Sequence, residues 1–147
     1  MKKTINTLKF AAILLLMAGM MISCGKDNEK ENVSLKGTKW KLVEFVQVSE
    51  GTTKIPEPQS DQCYWITFES NTTFSGKTST NAIYVHYRIN LSTSTIYIDN
   101  ISGTEINELF DGKLYMECLY LVNYFEVTET SLMLYYNKTD YLLFRSI

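Results

Sequence analysis

His86 is the only histidine in the 147-residue chain, and its neighbours decide what chemistry is on offer. In AIYVHYRIN, residues 82–90, Tyr84, His86 and Arg88 alternate with Ile83, Val85, Tyr87 and Ile89. A period of two sends these sets to opposite faces of a strand. Tyr97, in STIYIDNI (94–101), is placed to stand beside the first set from the next strand. No serine motif, nucleophilic cysteine or pair of carboxylates accompanies His86 at a readable catalytic spacing, so no enzyme is expected. Tyrosines provide rigid amphipathic contact area and arginine an anchor, so Tyr84, His86, Arg88 and Tyr97 form a candidate binding face. The same residues also suit an ordinary solvated sheet face with aromatic pairs across strands.

The sulfur chemistry divides in two. Cys63 and Cys118 could form a disulfide in an exported chain, closing a loop of about 55 residues and contributing roughly 4 kcal/mol. They could equally remain buried thiols acting as small hydrophobes. With a single histidine they have no short ligand spacing between them, so neither a metal nor a cofactor is expected.

Cys24 sits elsewhere, after thirteen residues from Phe10 to Ile22 that are all apolar except Gly19. Lys2, Lys3 and Lys9 precede that run, and a positive segment, a short apolar segment and small residues in this order form a secretory signal. As a helix the apolar run reaches only about 20 Å, short of the ~30 Å hydrocarbon core. Met21-Ile22-Ser23-Cys24 resembles a bacterial lipobox, which implies removal of residues 1–23 and acylation of Cys24, with palmitate among the chains. Stable anchoring needs more than one chain, and a triacylated cysteine meets that need. Residues 24–34 contain Lys26, Asp27, Glu29, Lys30 and Glu31 and read as a disordered acidic tether that could hold a domain up to ~35 Å from the bilayer. The tether resembles the lysine-plus-acidic export signal of Bacteroidetes-type lipoproteins. That implies a lipid-anchored outer-membrane protein at the cell surface, the periplasmic face being the alternative.

Without residues 1–23 the chain carries 11 Lys and Arg against 16 Asp and Glu, a net charge of −5. Nucleic acid, which demands a concentrated positive field, is excluded as a partner. Residues 35–147 suffice for one domain with one core.

That domain reads as strands broken by turns. KWKLVEFVQV (39–48) carries Trp40, Leu42 and Val46 on one face, interrupted by Glu44. Residues 51–62 hold both prolines and read as a loop. CYWITFES and TTFSGKTST follow, with Gly76 marking a bend or bulge. After the two strands around His86 and Tyr97, DGKLYMECLYLVN (111–123) changes period: Leu114, Cys118 and Leu121 or Val122 form a helical stripe, with Asp111 placed as its cap. YFEVTE, SLMLYYN and DYLLFRSI close the chain, and Tyr135 and Tyr141 can either form a second outward tyrosine stripe, able to stack on sugars or dock a partner, or serve as half-buried packing. The expected fold is mainly β: a small antiparallel barrel of about eight strands with one amphipathic helix, closed so that few strand edges are left.

The order of these elements resembles a META domain of the heat-shock lipoprotein type. The resemblance is carried by Trp40, Phe68, Phe74, Gly76, Asn81, Leu119 to Tyr124, Leu132, Leu134 and Phe144 and covers residues 35–147. Where many members have Gly-Cys-Asn this chain has Ser79-Thr80-Asn81, and the segment ISGTEINELF lacks the second cysteine. The resemblance implies a cell-envelope location and no catalytic residues. The expected function is a non-catalytic interaction module for a protein or glycan. The alternatives are a lipocalin-like small-ligand carrier, with its site inside the barrel, and an envelope stress-response protein.

Overall fold

The computed structural model describes residues 34–147. Residues 1–33, on which the expected signal peptide, Cys24 and most of the expected tether fall, lie outside the described residues. Nine strands make one antiparallel sheet: β1 (Lys39–Gln47), β2 (Thr52–Lys54), β3 (Trp65–Phe68), β4 (Thr73–Lys77), β5 (Ala82–Asn90), β6 (Thr95–Gly103), β7 (Tyr124–Val127), β8 (Ser131–Tyr135) and β9 (Tyr141–Ser146). One helix, α1 (Gly112–Tyr120), joins β6 to β7. The strand order is β2-β1-β3-β4-β5-β6-β7-β8-β9, and β9 pairs back onto β1, so the sheet closes nearly into a ring. The weak point is the β6–β7 seam, where the only strand register is Thr95 opposite Tyr124.

The expected mainly-β barrel is therefore what forms. Its interior is filled by side chains: Trp40, Leu42, Phe45, Phe68, Phe74, Tyr87, Leu132, Leu134, Leu142 and Phe144 are all buried in one cluster. Phe68, Phe74 and Tyr87 pack with ring centroids 5.2–5.8 Å apart, within the range for favourable aromatic pairs.

Several details differ from the sequence reading, each for a local reason. The interruption at Glu44 is a bulge: the register against β9 shifts between Leu42 and Glu44, which turns Phe45 inward. Gly76 is neither bend nor bulge. It sits in regular register between Ile66 and Ile83, and a Cβ there would lie 2.5 Å from the Trp65 carbonyl oxygen, so glycine lets β3 and β4 approach. The loop at 51–62 contains β2, whose three residues are all exposed and which adds to the end of β1. In α1 the buried stripe is Tyr115, Cys118 and Leu119, continued by Val122, whereas Leu114 and Leu121 are exposed. Cys118 and Val122 are buried as the helical period predicts, and the difference lies at the first turn, where Tyr115 takes the inward place expected of Leu114. Asp111 stands at the helix start without capping it. Its carboxylate instead accepts from Lys54 Nζ and from the Glu57 backbone N–H (2.8 Å), tying the β2 loop to the helix.

Candidate functional site

β5 keeps its period along its whole length, with Ile83, Val85 and Tyr87 buried and Tyr84, His86 and Arg88 exposed. On one side β4 places Ser75 opposite Tyr84 and Thr73 opposite His86. On the other, β6 places Ser102 opposite Tyr84, Asn100 opposite His86 and Tyr97 opposite Arg88. The four candidate residues are thus brought to one outer face, with Tyr84 57% and Tyr97 51% exposed.

A register shift between His86 and Tyr87 leaves one extra residue on β6, and Asp99 and Asn100 are both exposed as a result. The alternation of STIYIDNI already places Tyr97 and Asp99 outward; the bulge, which that alternation does not show, adds Asn100 beside them. Arg88 Nε donates to Asp99 Oδ1 and Oδ2 at 2.9 and 3.0 Å, and Nη2 donates to Oδ1 at 2.7 Å. The guanidinium also lies over the Tyr97 ring, 5.6 Å from its centroid. Hydrogen bonding to Asp99 raises the Arg88 pKa, and the same bonds lower that of Asp99. Arg88 is thus held between the Asp99 carboxylate and the Tyr97 ring while remaining open to solvent. Arg88 also lines a surface cleft of about 730 Å³ with Ser34, Leu35, Asn71 and Asn90, beside the point where the described chain begins.

The groups this face presents are two phenols, an imidazole and an ion-paired guanidinium. Asp99 is committed to Arg88, and among the described residues no group of three His, Cys, Asp or Glu side chains could hold a metal ion. The disulfide considered for Cys63 and Cys118 is not made: both are free, buried thiols. Cys63 Sγ donates to the Ser79 carbonyl at 3.5 Å, while Cys118 lies on α1 near Tyr136. Burial pushes the Cys118 thiol up to about 11, which makes it a poor nucleophile.

Sequence reasoning missed two further features. Ile106, Leu109 and Phe110 are exposed on the strap between β6 and α1, and nothing periodic marks them. Tyr124 joins Tyr135 and Tyr141 in one cross-strand ladder, extending the stripe expected on the last hairpin.

The fold has solved counterparts. A DUF4847 family protein from Bacteroides vulgatus superposes with a TM-score of 0.57 at 16% identity, over 76% of this chain and 93% of that one. A protein from Burkholderia xenovorans, solved by NMR, gives a TM-score of 0.63 at 18% identity, over 77% and 83%. Neither a family model nor a curated protein matches the chain. At these identities the likeness shows the β-rich fold alone. Among the described residues no helix is long and apolar enough to cross a membrane.

Proposed function

We propose that the chain is a lipid-anchored protein of the outer membrane whose META-like barrel is a non-catalytic protein-interaction module. Cys24 carries the lipid, the acidic tether holds the domain away from the bilayer, and the face of Tyr84, His86, Arg88 and Tyr97 docks the partner. The observation that carries this reading is the convergence of these four exposed side chains from two strands, with Arg88 already clamped by Asp99 and Tyr97. A preorganised arginine flanked by tyrosines loses little side-chain entropy on binding. The packed interior favours this reading over a carrier with its site inside the barrel.

Replacing Tyr84, His86, Arg88 and Tyr97 together by alanine leaves the inward rows untouched, so the fold should persist while partner capture from envelope extracts is lost. Undiminished capture by the folded variant would sink the face assignment. The anchoring is tested separately by the mass of the mature N-terminus and by treating intact cells with a non-permeant label. An unacylated Cys24, or a domain labelled only after the outer membrane is broken, would overturn the lipid anchor and the surface location respectively.

A further inference from the structure

On the opposite side of the ring from β4–β5, Tyr124, Tyr135 and Tyr141 stand directly opposite one another on β7, β8 and β9. Ring centroids are 5.4 and 5.0 Å apart and the planes are inclined by 62° and 46°, so the rings rise as steps across three strands. The adjacent row, Phe125, Leu134 and Leu142, is buried, which fixes the tyrosines on the outer surface. A surface cleft of about 650 Å³ opens over the first two rings, bounded by Asn123, Glu126, Tyr136 and the hairpin turn at Asn137 and Lys138. It lies at the poorly paired β6–β7 seam, where Tyr124 is the one β7 residue in register with β6. Glu126 and Lys138 make no ion pair among the described residues.

We infer that this cleft is a carbohydrate-binding site for a neutral oligosaccharide, distinct from the β5–β6 face. Aromatic faces carry negative quadrupole density that attracts the weakly positive C–H faces of a pyranose ring. Around them stand an acceptor-only carboxylate, a donor-only ammonium and phenolic hydroxyls that do both, which suits the hydroxyls of a sugar edge. The one carboxylate and one ammonium cancel, so the lining selects for neither a strongly anionic nor a strongly cationic ligand. Independently of the geometry, Glu126 is among the groups that hold the Tyr135 phenol protonated, after burial itself. That phenol remains a donor across the physiological range.

The test is a titration of the full chain with five neutral trisaccharides: maltotriose, cellotriose, mannotriose, galactotriose and N,N′,N″-triacetylchitotriose, followed by saturation-transfer and chemical-shift NMR. At least one should bind, and Tyr124→Ala and Glu126→Gln should each weaken it by about tenfold or more. Tyr97→Ala, on the other face, should change nothing. If Tyr124→Ala fails to fold, the isosteric Glu126→Gln and the exposed Lys138→Gln keep the assignment testable. Binding of none of the five, binding indifferent to Glu126→Gln and Lys138→Gln, or binding lost with Tyr97→Ala would each overturn it.

Discussion

Asn81→Asp is the sharpest perturbation of the scaffold that carries both faces. Asn81 is 5% exposed, and its amide makes four hydrogen bonds. Nδ2 donates to the Ile106 carbonyl (2.6 Å) and to Glu108 Oε1 (2.7 Å), while Oδ1 accepts from Thr104 Oγ1 (2.8 Å) and Ile106 N (2.9 Å). Glu108 also accepts from Thr78 Oγ1 at 2.6 and 2.8 Å and from Ser79 Oγ at 3.0 Å. These bonds clamp the strap before α1 to the β4–β5 turn. Aspartate keeps the two accepted bonds, loses both donations and sets a second carboxylate against Glu108. The pair escapes repulsion by binding one proton, which from a reference pKa near 4 costs about 4 kcal/mol at pH 7. Part of a hydrogen bond is regained, so the net loss is about 3–5 kcal/mol at pH 7, or roughly 12–20 °C in thermal midpoint. Because the folded pair's pKa is raised, the loss must shrink as the pH falls towards about 4. Asn81→Ala, which removes the bonds without adding charge, should show no such recovery. Urea unfolding of parent and both variants at pH 7 and pH 4.5 decides the matter. An Asn81→Asp deficit below about 1 kcal/mol at pH 7, or one that does not narrow on acidification, would refute the clamp.

Other expected outcomes follow from single groups. The Tyr115 hydroxyl is fully buried and has no hydrogen-bond partner among the described residues. Tyr115→Phe should therefore raise stability by about 1–2 kcal/mol, and a lower thermal midpoint would contradict it. At Gly112 a Cβ would lie 2.0 Å from Glu108 Oε2 and 2.3 Å from Ser79 Oγ. Gly112→Ala gains up to about 1 kcal/mol of helix propensity but collides with the clamp at a cost of about 1–3 kcal/mol, so calorimetry should find a net loss. The Asp140 carboxyl is held down to about 2 by the Ser49 backbone N–H first and then by Asn137, with Ser49 Oγ and Thr139 adding smaller pulls. A depressed folded pKa stabilises above the ordinary carboxylate value and is lost as the pH falls from about 4 to about 2. Asp140→Asn should flatten that acid limb of the stability profile, and an unchanged limb would place the acid-sensitive group elsewhere.

How much of this was legible in the sequence depends on whether a feature is periodic or relational. The alternation of β5 predicts both its buried row and its exposed row, because period two leaves no other arrangement once one face meets a core. The apolar content of β1 is equally visible, yet the bulge beyond Leu42 is not: one extra residue changes the phase without changing the composition. Helix α1 departs from its pattern at one position, although Cys118 and Val122 are buried as expected. Leu114 and Tyr115 are both credible core residues, and only the packing of Tyr115 edge-on against Tyr64, 5.6 Å away, selects the second. Relational features were invisible altogether. The Arg88–Asp99 bonds need the β5–β6 register, Glu108 meets Asn81 across 27 residues, and Tyr124 finds Tyr135 only because β7 and β8 pair as they do.

The placement of these relational features bears on how a packed barrel would bind a partner as proposed. Its interior is closed to ligands by large side chains, so recognition has to be built from residues that the fold leaves outward. Such residues gain definition where a neighbouring group or the strand register holds them. On β5–β6 the Asp99 carboxylate holds Arg88, and Arg88 in turn meets Tyr97. On β7–β9 the register alone stacks three tyrosines, and the short β6–β7 seam leaves a cleft beside them. The two faces therefore depend on different local devices, and a substitution that straightens one should leave the other intact. Deleting Asp99 to restore regular pairing of β6 would free Arg88 and disperse the first face while leaving the Tyr124–Tyr135 contact unchanged. Nuclear Overhauser effects between those two rings, measured in the deletion variant, test that independence: their loss would mean that the seam transmits strain from β6 to β7.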